Sequence, residues 1–134
     1  MEDILIDTDI VIDYLRSKNK SSTVLVQMID QYTLLLSSIT EFELFLGART
    51  EQHVEDLKIL FDEIEVLPFD FGCGRIASDI WKDIQNKHQH AEIKDIFIAS
   101  IAIRNNIRFC TFNKKHFNAI KDVRLLDKEW IKPL

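Results

Sequence analysis

Glycine and proline are scarce in this chain, at three and two among 134 residues. That leaves little room for long irregular loops or a low-complexity linker, so regular elements are expected to dominate. Cysteine is as sparse. Cys73 and Cys110 form neither a close pair nor a metal-ligand spacing, which argues against a disulfide scaffold or a zinc module. Both are read as small buried side chains in a reducing compartment. No hydrophobic run approaches the length of a membrane span, and Glu2 and Asp3 stand where a secretory signal would carry basic residues. A cytoplasmic protein with no membrane association is expected. Positive charge is also short: 17 Lys and Arg against 22 Asp and Glu leave a formal net charge of −5. Such a chain does not hold nucleic acid by bulk electrostatics.

What is present is an ordinary globular composition, 46% hydrophobic and 29% charged, in a length that suits one domain over residues 1–134. The stretch Ile4–Leu15 organises the reading. Ile4, Leu5 and Ile6 form a compact apolar run, as in a strand buried on both faces. Asp7, Thr8 and Asp9 interrupt it, and apolar residues return at Ile10, Val11, Tyr14 and Leu15 with helical spacing. A strand entering a helix through two carboxylates is the layout of an α/β active site, because ligands bind at the carboxyl ends of parallel strands. Helix capping by the same residues is the competing reading.

The pattern repeats along the chain. Ser22 or Thr23 precedes a short helix carrying Val24, Leu25, Met28 and Ile29. Tyr32–Leu36 is a second strand, followed by small polar residues and a helix with Phe42, Phe45 and Leu46, expected mainly in the core. Gly47 would let another segment approach closely. An amphipathic helix is expected over residues 51–63, a third strand over Ile64–Leu67, and a helix over Arg75–Lys87 with Ile76, Ile80, Trp81 and Ile84 on one stripe. His88 and His90 fall in a polar loop. The helix opened by Asp95 is apolar on all sides and should be buried. Ile107–Phe112 and Val123–Leu126 are the fourth and fifth strands, and Glu129–Leu134 is a tail. Alternating strands and helices predict an α/β fold with a mainly parallel sheet covered on both faces.

Three carboxylates stand out by position: Asp7, Glu43 and Asp95. A cluster of this kind suits a hard divalent cation such as Mg²⁺, which takes oxygen ligands. Each has a structural competitor. Thr40-x-x-Glu43 and Ser38-x-x-Glu41 are both capping boxes, Asp95 is a possible helix N-cap, and Asn113 suits a strand-end turn. Basic residues at Arg16, Lys18 and Lys20, and at Arg104, Arg108, Lys114, Lys115 and Lys121, fit either a phosphate-gripping rim or ordinary solvated faces.

In ILIDTDIVIDYL, SSITEFELFLGA and DIFIASIAIRNNIRFCTFNKKHF the chain resembles the PIN domain family, specifically the stand-alone toxins of VapBC toxin–antitoxin pairs. The matching positions are Asp7 and Thr8; Glu43, Leu44 and Gly47, which select Glu43 over Glu41; Asp95 with Ile98 and Ala99; and Thr111 with Asn113. The resemblance implies a three-layer α/β/α sandwich and a Mg²⁺- or Mn²⁺-dependent endoribonuclease. Asp7, Glu43 and Asp95 would hold the metal, and Asn113 would complete the catalytic set. Thr8 and Thr111 would orient these groups. His116 falls where the family often has a fourth acid, which puts a second metal in doubt. It is a candidate phosphate contact or proton donor, and Asp9 is an extra acid nearby. An RNA substrate, a cognate antitoxin protein and a homodimer are implied as partners. Two alternatives compete with this reading: a degenerate PIN domain that only binds RNA or protein, and a haloacid-dehalogenase-like phosphatase using Asp7 and Asp9.

Overall fold

The computed structural model describes residues 1–131. Four strands form one parallel sheet: β1 (Glu2–Ile6), β2 (Tyr32–Ser37), β3 (Glu65–Leu67) and β4 (Arg108–Cys110), in the order β3-β2-β1-β4. The helices are α1 (Thr8–Arg16), α2 (Val24–Ile29), α3 (Ser38–Gly47), α4 (Glu51–Glu63), α5 (Cys73–Asn86), α6 (Ile93–Arg104) and the short α7 (Lys114–Phe117), with a single 3-10 turn at Lys20–Ser22.

The alternation of side chains along a strand divides the core in two. Ile4, Ile6 and Leu36 point into a cluster built with α1, α2 and α4. Leu5, Leu35 and Phe109 point into a second cluster built with α5 and α6. Ile4, Leu5 and Ile6 are fully buried, each contributing about 1.5–3 kcal/mol of apolar burial. This is the α/β/α sandwich expected from the alternation of elements. Among the described residues no helix is long and apolar enough to cross a membrane.

Several elements differ from expectation, each for a local reason. The fourth strand is shorter than Ile107–Phe112 because the Phe112 N–H leaves the sheet and donates to Asp9 Oδ2 at 3.1 Å. The expected fifth strand over Val123–Leu126 reduces to a single parallel bridge, Phe109 with Leu125, along the edge of three-residue β4. Residues Cys73, Ala77, Ile80 and Ile84 form the buried stripe of α5, whereas Trp81 is 44% exposed. Space beside Gly47 is open, so no segment approaches it closely. Phe42 and Leu46 are 63% and 71% exposed rather than core, and Phe45 is half-buried against Phe61. His88 lies in the turn after α5 with φ 55°, and His90 is exposed. The expected tail passes out of the described residues after Ile131.

Candidate metal centre at the carboxyl edge of the sheet

The strand order fixes where a site can form. From β1 the chain steps outward to β2 and β3 through helices on one face, then returns past both strands to β4 through α5 and α6 on the other. The reversal opens a crevice at the carboxyl ends of β1 and β4, the position where parallel sheets bind ligands. Asp7 follows β1 directly and its N–H donates to the Cys110 carbonyl of β4 at 2.9 Å. Thr111, Phe112 and Asn113 leave β4 at the same place.

Asp7 is both cap and site residue. Oδ1 accepts from the Thr8 N–H at 2.8 Å, at the start of α1, and Oδ2 accepts from Thr111 Oγ1 at 2.7 Å. Its neighbour Asp9 anchors the end of β4, where Oδ2 accepts from the Phe112 N–H and Asn113 Nδ2, each at 3.1 Å, with Thr111 Oγ1, whose proton goes to Asp7, 3.3 Å away. Asp9 Oδ1 is the single buried side-chain polar atom without a hydrogen-bond partner among the described residues.

The choice between Glu41 and Glu43 is made by the start of α3. Ser37 is the N-cap, its Oγ accepting from the Thr40 N–H at 3.0 Å. Neither expected capping box forms: Glu41 is exposed, and Glu43 lies one turn too far along the helix to reach the cap. Glu43 Oε1 instead accepts from Thr8 Oγ1 at 2.9 Å. A hydroxyl carries one proton, so Thr8 must accept from Thr40 at 2.9 Å, and Thr40 in turn accepts from Ser37 at 3.2 Å. Three buried hydroxyls thus run from the end of β2 to Glu43, all oriented one way.

Asp95 is not the N-cap of α6. The helix starts at Ile93 after Glu92, and Asp95 sits in the first turn, buried, where the helix dipole favours an anion. Its Oδ2 lies 3.8 Å from Nδ1 of His116, which is exposed on α7. Lys94, beside Asp95, donates to Glu43 Oε2 at 3.1 Å. Asn113 is exposed and joined to Asp9, not to Asp7 or Asp95.

The electrostatics follow from this crowding. Burial, then the charge of Asp9, pushes the Asp7 carboxyl up to about 7, against the hydrogen bonds from Thr111 and Thr8. Burial pushes Asp9 up to about 6, opposed by the Phe112 N–H and Thr111. Burial and Glu92 raise Asp95, and the hydrogen bond to Glu43 raises Lys94. Among the described residues no three Asp, Glu, His or Cys groups enclose a metal ion as the side chains stand. The donor set nonetheless suits a hard cation. It consists of carboxylates, the charge of Asp9 adds to burial in raising Asp7, and one buried oxygen has no partner.

The basic residues do not gather into one patch. Lys20 caps the carbonyl end of α1, donating to the Tyr14 and Leu15 carbonyls. Arg108 pairs with Glu2 at the amino edge of the sheet, and Arg104 donates to the Phe71 carbonyl. Lys114 and Lys115 follow Asn113 directly, and the Lys114 ammonium pairs with Asp127.

Sequence reasoning placed Asp7, Thr8, Glu43, Asp95, Thr111, Asn113 and His116 here, and the fold brings all of them to this edge. It left Asp9 undecided and missed Lys94. The signal for Asp9 was its place two residues after Asp7, within the first turn of the helix. For Lys94 it was a cation immediately before Asp95.

The PIN domain family matches residues 4–123. Ribonuclease VapC3 of Methanocaldococcus jannaschii is 35% identical over 99 residues, covering 74% of this chain and 97% of that one. Ribonuclease VapC10 of Mycobacterium tuberculosis is 26% identical over 121 residues, 90% of each chain. Among solved structures, a chain of DNA-bound VapBC from Salmonella typhimurium superposes with a TM-score of 0.85 at 24% identity, over 97% of this chain and 99% of that one. A chain of VapBC-1 from nontypeable Haemophilus influenzae gives 0.84 at 24% identity, again over 97% and 99%. A strand order that switches sides at β1, the carboxylates gathered at that switch point, and these relatives agree: the chain belongs to the PIN domain family and groups with the VapC ribonucleases.

Proposed function

We propose that this chain is a divalent-cation-dependent endoribonuclease, the toxin of a VapBC-type pair, folded as one domain over residues 1–134 and acting in the cytoplasm. The observation that carries the reading is the convergence of Asp7, Glu43 and Asp95, from three separated segments, on the switch point of the sheet. Membership of the PIN family removes the phosphatase alternative.

Asp7, Glu43 and Asp95 would hold Mg²⁺ or Mn²⁺, directly or through its waters. Bound there, such an ion polarises the scissile phosphate and lowers the pKa of a coordinated water. The chain's own residues supply the rest. Thr111 keeps Asp7 Oδ2 in place, and Thr8 keeps Glu43 Oε1 in place. Orientation of such carboxylates by neighbouring groups sustains both metal affinity and rate. Asn113 and His116 stand at the open rim, where RNA phosphate oxygens would arrive, and protonated His116 would neutralise one of them. Asp9 fixes the turn that presents Asn113.

Two partner surfaces accompany the site. A groove lined by Leu15, Leu25, Ile59 and Leu60 continues past Leu15 and Asp56 to Leu44 and Glu43. An antitoxin lying in that groove would reach the metal-holding carboxylates. Phe42 and Leu46, one turn apart on the exposed face of α3, form the surface we assign to a homodimer.

The test is cleavage of RNA by the purified chain with Mg²⁺ or Mn²⁺ present. Cleavage should stop with chelator, return with added metal, and be lost in Asp7→Asn and Asp95→Asn while their circular dichroism stays that of the parent. Cleavage that persists in Asp7→Asn overturns the metal assignment. Metal-independent RNA binding with no cleavage favours the degenerate, binding-only domain.

A further inference from the structure

Lys94 occupies a place that the proposed activity does not explain. It lies in the first turn of α6 beside Asp95, and its ammonium crosses to α3, donating to Glu43 Oε2 at 3.1 Å with Glu92 Oε2 at 3.9 Å. The other Glu43 oxygen is already held by Thr8 at 2.9 Å. Both oxygens of this carboxylate are therefore engaged by the chain's own groups. Oε1 takes a neutral hydroxyl donor that can remain while a carboxylate binds a cation through its second oxygen. Oε2 takes a full positive charge, and a divalent cation cannot share that oxygen's open side with an ammonium.

We infer that Lys94 is a tethered counter-cation of the Glu43 carboxylate: it holds Glu43 until a divalent cation arrives, and the cation binds only by displacing it. The inference rests on the cation site proposed above. Its physical basis is charge balance. Glu43, Asp95 and Glu92 share one edge, and the Lys94 ammonium stands between Glu43 and Glu92 as the cation that offsets their charge. An ammonium on a four-carbon stem is suited to this exchange, being a mobile point charge rather than a rigid fork. The Lys94 side chain is half exposed and that of Glu43 only 20%, so the lysine has solvent to swing into and the carboxylate stays in place. Once displaced, the ammonium remains tethered at the rim where an RNA phosphate would approach.

The experiment is Mn²⁺ binding to the purified chain without RNA, measured by calorimetry or by the electron paramagnetic resonance of free Mn²⁺. Four proteins are compared: the parent, Lys94→Met, Glu43→Gln, and the double variant. Lys94→Met should bind Mn²⁺ roughly three- to ten-fold more tightly, the range for losing one partly exposed charge-assisted bond. In the Glu43→Gln background the same substitution should change affinity by less than about two-fold, because the contested oxygen is gone. An equal gain in both backgrounds means Lys94 acts only as a distant charge and overturns the displacement. An unchanged affinity in Lys94→Met overturns it as well. Failure of the cation site itself reads differently: the parent then binds no more Mn²⁺ than Asp7→Asn, and the reading of the centre falls together with this inference.

Discussion

Thr8 donates its only hydroxyl proton to Glu43, tying the first residue of α1 to the middle of α3 at 2.9 Å. The bond closes a one-way series of hydroxyls that begins at Ser37, so the end of β2 and the start of α1 reach Glu43 together.

Thr8→Val keeps the shape of the side chain and removes the proton. It leaves the Thr40 hydroxyl and Glu43 Oε1 without their partner, at a cost of about 1–3 kcal/mol in urea denaturation. RNA cleavage should fall roughly ten- to hundred-fold through misplacement of Glu43. Thr8→Ser restores the donor and should recover most of both losses.

The raised carboxyls set how stability depends on pH. In the folded chain Asp7 and Asp9 titrate at about 7 and about 6, so the native state keeps protons that the unfolded chain releases near pH 4. Their contribution to stability is therefore complete below about pH 4, declines as pH rises toward 7, and is flat above. Asp7→Asn removes most of that slope. Without divalent cation at about pH 8 the variant should melt above the parent, and the gap should narrow toward about pH 4. Added Mg²⁺ should raise the parent's melting temperature and leave that of Asp7→Asn nearly unmoved. A parent that melts higher at about pH 8 than at about pH 5 contradicts the electrostatic account of the site.

Asp9 raises Asp7 by charge and anchors the end of β4 by hydrogen bonds. Asp9→Asn separates the two effects, since an amide oxygen still accepts from the Phe112 N–H. The Asp7 carboxyl should then titrate lower, as followed by carbon-13 chemical shift, with the β4 amide shifts little changed. An Asp7 titration that does not move shows that burial alone raises it.

Leu46→Glu and Phe42→Glu put charge on the exposed face of α3, at positions that the described residues leave mostly open to solvent. Thermal stability should change by less than about 0.5 kcal/mol, while sedimentation should shift from dimer to monomer. A dimer that survives both substitutions places the interface elsewhere.

The parts of this site that were readable in sequence are those whose spacing carries the information. Ile4–Ile6 running into Asp7, with helical spacing from Ile10 onward, suffices to locate the strand, the turn and the carboxylate. Glu43 was harder, because Thr40-x-x-Glu43 and Ser38-x-x-Glu41 are equally good capping boxes on paper. The helix adopted neither, since Ser37, at the end of a strand, already supplies the cap. Asp95, expected as a metal ligand, had a competing N-cap role, and that position is taken by Glu92. Trp81, Phe42 and Leu46 were misread because periodicity reports which residues share a helix face, not whether a partner element covers it. Lys94 was invisible for a deeper cause: its meaning lies in Glu43, which is 51 positions away in the chain.

The link between Asp7 and Thr111 spans 104 positions of sequence. During synthesis the residue that carries the first carboxylate emerges 104 positions before Thr111, at the end of the strand that holds it in place. Until then the Asp7 N–H has no Cys110 carbonyl to meet, Asp9 has no strand to anchor, and the first helix of the site has no Asp95 opposite it. A nascent chain from which β4 has not yet emerged lacks a finished centre while its own message is threaded nearby. For an enzyme that cuts RNA, the order of strands in the sheet is also a delay, timed by translation, between being made and being armed.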